Sequence, residues 1–254
     1  MRTIRYGSSE SQEADLYLPG ARRPPVLVLL HGGFWRIPYG RGEMTAVARD
    51  LADRGFAVWN LEYRRTGEPG GGWPGTLEDV TAGMDHLAAL AAEGDDLDLN
   101  RVTVVGHSSG GHLALLAAAY ERKRRNTAGS SHVRPSAAVG LAPIADLAGA
   151  STLGSGNNAV EEFLGGSPQQ QPDRYETASP IALVPLGVKQ LIIHGTADDV
   201  LPIDLARAYV KAARAAGDIV DFIEIPGLNH MEYLNPDSAA HAALCRWLTA
   251  RFKP

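Results

Sequence analysis

Short, almost wholly apolar runs recur along the chain, VLVLL at 26–30, VTVVG at 102–106 and LIIH at 191–194 among them, with longer alanine-rich stretches between them. A strand covered on both faces has no polar side to show, so it reads as a continuous apolar run rather than an alternating one. Strands are expected near 3–6, 15–18, 26–30, 57–62, 102–106, 137–141, 191–194 and 222–225, and helices over 41–54, 75–93, 109–122, 203–216 and 237–252. This alternation predicts an α/β fold, a mostly parallel eight-stranded sheet with helices on both faces. The first two strands, joined by a short polar loop, are expected to pair as an antiparallel edge hairpin. No repeat or linker divides residues 1–254, which predicts one domain. The segment 148–185, rich in Gly, Ser, Pro and Gln, is too long for a simple connection. It is expected to be either a disordered surface insertion or a small lid over a site, with one short helix at Ala159–Leu164.

Composition narrows the function classes. A formal net charge of −5 gives no reason to expect nucleic acid or an anionic membrane as partner. The longest aliphatic run is far too short to cross a bilayer, and MRTIRYGSSE at 1–10 lacks the apolar core of a secretory signal. The single cysteine, Cys245, requires no oxidising compartment. A cytoplasmic protein is expected. The basic run ERKRR at 121–125 reads as the solvated end of a helix, complementing its dipole. RRTGEPGGGWPG at 64–75 lacks the Gly-Lys-Ser/Thr ending of a phosphate loop and reads as a connection into a helix.

Four segments carry chemistry. In VVGHSSGGH at 104–112, small residues flank Ser108 where a strand turns sharply into a helix. Such a turn lifts a hydroxyl to the carboxyl end of the sheet and aims helix N–H groups at the same place. LLHGGFW at 29–35 ends a strand on two glycines, leaving the amides of Gly32, Gly33 and Phe34 free to join that of Ser109 around a developing oxyanion. LIIHGTADDVLP at 191–202 ends a strand on two carboxylates. Asp198 is favoured over Asp199 and Asp204 to orient an imidazole, the other two being suited to start the next helix. In IEIPGLNHMEY at 223–233, His230 follows a strand and the acid segment. Of the other histidines, His86 and His241 read as helix-surface residues, and His31 and His194 as loop-orienting ones. His107 and His112 are expected beneath or beside the serine turn. No cysteine or histidine pattern suggests a metal site.

The order of these pieces, oxyanion loop, Ser108, Asp198, His230, is the chain order of α/β-hydrolases. The sequence resembles that superfamily over nearly its full length, from ADLYLP at 14–19 to the final helix. Within it, HGGFW and GHSSGGHLAL look like the branch of arylformamidases (kynurenine formamidases) and the small esterases similar to them. The resemblance implies an HGG-aromatic-Trp oxyanion loop, a serine nucleophile in a GxSxGGH turn and a triad of Ser108, Asp198 and His230. It also implies a small-molecule ester or amide substrate, cleaved without a cofactor. Ester hydrolysis is the first expectation, formamide hydrolysis the second, and a non-catalytic receptor on the same scaffold the third. Phe34, Trp35, Trp73 and Phe163 are the candidates for apolar contact with the substrate.

Overall fold

The computed structural model describes residues 1–124 and 132–252. All eight expected strands form, and they belong to one sheet. β1 (Arg2–Arg5) and β2 (Glu13–Tyr17) make the antiparallel edge hairpin. They are followed by β3 (Pro25–Leu30), β4 (Ala57–Leu61), β5 (Asp98–His107), β6 (Ala137–Leu141), β7 (Lys189–Gly195) and β8 (Val220–Ile225). The spatial order is β1-β2-β4-β3-β5-β6-β7-β8, and every pair from β4 to β8 is parallel. The chain therefore leaves β3 towards one edge and returns to β5 on its other side. Crevices at such switch points, outside the carboxyl ends of the strands, are where open α/β sheets hold ligands.

The helices are α1 (Thr45–Asp53), α2 (Gly75–Ala92), α3 (Ser109–Arg124), α4 (Leu147–Thr152), α5 (Ala159–Leu164), α6 (Pro172–Ala178), α7 (Ile203–Ala215) and α8 (Ala239–Phe252). Two hydrophobic layers sandwich the sheet, and β3 shows why its sequence is apolar throughout. Val26, Val28 and Leu30 pack with α2, α3 and α7 on one face, while Leu27 and Leu29 pack with α1 and α8 on the other. The helix expected from residue 41 begins as a 3-10 turn, Arg41–Met44, before α1. The basic run at 121–125 ends outside the described residues. No helix among the described residues is long and apolar enough to cross a membrane.

The fold departs from the sequence reading at one segment and one histidine. The segment 148–185 holds α5 as expected, and α4, α6 and a 3-10 turn at Pro180–Ala182 besides. Their start signals were present: Asp146 caps α4 by accepting from Gly149 N at 2.9 Å, and Pro172 opens α6. Ala150, Val160, Phe163, Leu164 and Tyr175 are buried in the core layer, so the segment is packed. The second departure is His241, which is buried and not at the surface: its Nε2 lies 2.6 Å from Asp50 Oδ2 and 3.3 Å from Cys245 Sγ, joining α8 to α1.

The junction of β5 and α3 depends on glycine. A Cβ on Gly106 would sit 2.0 Å from the Gly110 carbonyl oxygen, and one on Gly110 would sit 2.2 Å from that of Leu30. Both obstacles are backbone and cannot swing aside. Gly106→Ala is expected to lower the unfolding free energy on the order of 3 kcal/mol in a denaturant titration. An unchanged midpoint would mean that the turn does not need this close approach.

Candidate active site

The turn between β5 and α3 holds Ser108 at φ +55°, in the left-handed region that a side-chain-bearing residue seldom occupies. The conformation is held from both sides, because Ser108 N donates to Leu141 O at 2.8 Å and Ser108 O accepts from His112 N at 3.0 Å. Backbone strain of this kind persists only where the surroundings over-determine it, and it clusters at functional positions.

Asp198 and His230 arrive from the ends of β7 and β8. His230 Nδ1–H donates to Asp198 Oδ2 at 2.8 Å, and Asp198 Oδ1 also accepts the N–H of Leu201 at 2.8 Å. Burial pushes the Asp198 carboxyl up, but the His230 hydrogen bond and the Leu201 N–H outweigh it and hold the group below the usual carboxylate range. Asp199 is exposed, and Asp204 sits in the first turn of α7 paired with Arg207, so neither meets the imidazole. His194 Nε2 donates to Leu201 O at 2.9 Å and braces the acid loop, as expected of it.

Ser108 and His230 line one cavity of about 150 Å³, together with Gly33, Phe34, Tyr39, Glu43, His107, Val200 and Met231. That is below the roughly 300–1,000 Å³ of pockets for drug-sized ligands and suits a short acyl or alkyl group. No hydrogen bond joins the Ser108 hydroxyl to His230; such contacts are often loose in the unliganded state and tighten with substrate. A larger hollow of about 440 Å³ beside α8 contains none of these groups.

His107 ties the two segments together, its Nε2–H donating to His230 O at 2.9 Å. Burial, with the nearby His230 imidazole, pushes His107 down to about 3, so it stays neutral beside the cavity. His112 lies fully buried beneath the turn, donating to Ala178 O at 2.8 Å, and burial takes it down to about 4.

The loop after β3 closes the other wall. A Cβ on Gly32 would lie 3.2 Å from Ser108 Cβ, which places this backbone against the serine. The N–H groups of Gly32, Gly33, Phe34 and Ser109 donate to no acceptor among the described residues. Two buried partners hold the loop: His31 Nδ1 lies 2.8 Å from Gly32 O and Nε2 2.8 Å from Glu62 Oε1, while Tyr63 stacks on the His31 ring at 4.2 Å.

Three of the four aromatic expectations are corrected. Phe34 lines the cavity, but Trp35 and Phe163 are buried and stack on each other at 4.4 Å, with Trp73 edge-on to Phe163. They form a packed layer beneath the loop because Trp35, also left-handed at φ +55°, turns inwards from the chain that Phe34 leaves outwards. No residue of 148–185 lines the cavity; the segment braces the loop instead, Arg36 donating to Gly156 O and Asn157 O at 2.8 Å each.

Sequence reading missed Glu62, Glu43, Tyr39 and Met231. Glu62 left a faint signal, since His31 and Glu62 each follow the paired residues Leu30 and Leu61 at the carboxyl ends of adjacent parallel strands. Glu43 left none, because its place at the cavity depends on how the 3-10 turn packs.

The family model BD-FAE matches residues 14–212, taking in the glycine loop, the serine turn and Asp198. The chain belongs to the BD-FAE family. BD-FAE is an α/β-hydrolase esterase family, and the superfamily expectation holds; the arylformamidase branch is not singled out. His230 lies beyond the matched residues. Among curated relatives, the chain is similar to the esterase LipC of Mycobacterium tuberculosis, 29% identical over 243 residues that make up 90% of this chain and 59% of LipC. The chain spans little more than half the length of such relatives. Among solved structures, a bifunctional GH43-CE protein of Bacteroides eggerthii superposes with a TM-score of 0.85 at 26% identity, covering 98% of this chain and 38% of that one. A truncated carbohydrate esterase from gut microbiota shares the fold with a TM-score of 0.85 at 24% identity, covering 99% of this chain and 96% of that one.

Proposed function

We propose that this BD-FAE member is a serine hydrolase that cleaves carboxylic esters of small molecules through an acyl-enzyme. The observation that carries the reading is that a strained serine, an aspartate-held imidazole and two residues with unpaired amides, Gly33 and Phe34, line one cavity. The relatives named as esterases support the reaction class. Ser108 attacks the ester carbonyl while His230 Nε2 takes its proton, and Asp198 stabilises the imidazolium formed. The oxyanion is met by amides of the 32–34 loop and of Ser109. His230 then gives its proton to the departing alcohol, activates water against the acyl-enzyme, and returns the proton to Ser108. No cofactor is required by this chemistry.

Formamide hydrolysis ranks second, because an amino-acid formamide needs a cationic clamp for its carboxylate and, among the described residues, neither lysine nor arginine lines the cavity. The test is labelling by a fluorophosphonate, with the modified peptide identified by mass, alongside turnover of short-acyl aryl esters and formate release from an aryl formamide. Label on Ser108 with ester turnover supports the reading. A folded protein that stays unlabelled and inactive overturns it in favour of a receptor.

Glu62 is expected to support the loop. Removing it by Glu62→Ala strands His31 and is expected to cost about 3 kcal/mol in unfolding. It is also expected to lower kcat at least about tenfold through a misplaced Gly32–Gly33 peptide. Burial pushes Glu62 up, yet its His31 hydrogen bond and the Arg41 N–H carry it below the ordinary value. Its stabilisation is therefore complete above the normal carboxylate range and lost as pH falls through the lowered folded value. The variant's stability deficit should shrink in acid; a deficit that stays constant with pH would count against this role.

A further inference from the structure

Glu43 is the one carboxylate lining the cavity among the described residues, and the proposed reaction does not use it. It sits in the 3-10 turn before α1, half-buried, and its carboxylate accepts no hydrogen bond and enters no ion pair among the described residues. A carboxylate withdrawn from water without a partner is costly, and burial, helped by nearby Glu62 and opposed by His31, raises its pKa. The arginines of the neighbourhood are engaged elsewhere, Arg41 with Glu13 and Asp15, and Arg65 with Glu68. Of the two lining imidazoles, His107 is held neutral and His230 is committed to Asp198. The side chains of Phe34 and Tyr39 line the same cavity, Tyr39 being 43% exposed. An acid in a cavity that aromatic residues also line is the chemistry that holds an ammonium group and repels an anion.

We propose that Glu43 is the charge-selecting residue of the cavity, favouring esters that carry an ammonium group beside the scissile bond over esters that carry a carboxylate. The inference rests on the ester-hydrolase reading for its reaction but not for its binding. It names a property of this chain's own 3-10 turn, which no motif of the serine turn or of the glycine loop encodes. The group acts on ground-state and transition-state binding alike, so its effect belongs mainly in KM.

The test compares three acetate esters, acetylcholine, its uncharged carbon isostere, and the acetate of a short hydroxy acid, on the wild-type chain, Glu43→Gln and Glu43→Lys. The ratio of kcat/KM for the cationic ester to that for the anionic one is expected to fall about tenfold or more in Glu43→Gln and to invert in Glu43→Lys. Calorimetric binding of the same three esters to Ser108→Ala, with and without Glu43→Gln, gives the same ratio without turnover. If the uncharged ester is not cleaved, the hydrolase reading fails, while the binding ratio still decides the role of Glu43. If the ratios of wild type and Glu43→Gln agree, in turnover or in binding, the charge-selecting role is overturned, and the hydrolase reading stands wherever the uncharged ester is cleaved.

Discussion

Ser108→Ala is expected to lower kcat on a short-acyl aryl ester by about a millionfold, leaving only the catalysis that binding and the oxyanion amides provide. Folding should survive, for a structural reason. The turn is held by backbone bonds, Ser108 N to Leu141 O and His112 N to Ser108 O, and by the glycines around it, while the hydroxyl itself makes no hydrogen bond among the described residues. Its removal should change the unfolding free energy by less than about 1 kcal/mol. Steady-state kinetics beside a denaturant titration checks both halves. Retained activity would dismiss Ser108 as the nucleophile, and collapse of the fold would show that the hydroxyl has a structural part.

Asp198→Asn is expected to cost about ten-thousandfold in kcat, with Asp199→Asn close to wild type. The Asp198 side chain is fully buried, bonded at once to His230 Nδ1 and to the Leu201 N–H, whereas Asp199 projects into solvent. An asparagine amide would turn an N–H towards the imidazole, favouring the tautomer that cannot receive the serine proton. It would also leave the imidazolium without a counter-charge. Comparing kcat for the two single variants decides the assignment; a larger loss from Asp199→Asn would move the acid by one residue.

The central strands, β3, β4 and β6 above all, were legible because they are buried on both faces and bounded by turn residues, so local patterning and tertiary burial demand the same thing. The long helices were legible for the same reason. α4 and α6 were not, since six- and seven-residue helices show too few turns for periodicity to register, and what holds them is packing of Ala150 and Tyr175 into a core made elsewhere. The serine turn, the glycine loop and the two segments bearing Asp198 and His230 could be read because each needs a local backbone geometry that only certain residues supply. The aromatic residues misled, because Phe34 and Trp35 are neighbours in sequence and both left-handed, yet one faces the cavity and the other the core. Sequence has no means of telling which way each ring turns.

By itself, then, the amino-acid order determined the sheet, its parallel sense, and which hydroxyl, carboxylate and imidazole could meet at its carboxyl edge. Those properties follow from short-range stereochemistry and from hydrophobic period, both written into neighbouring residues. The closed chain alone decided that His31 and Glu62 brace the glycine loop, that Trp35 and Phe163 are core, and that Glu43 lines the same cavity as the serine. Each of those depends on distances between residues far apart along the chain, and such distances exist only once the layers have packed.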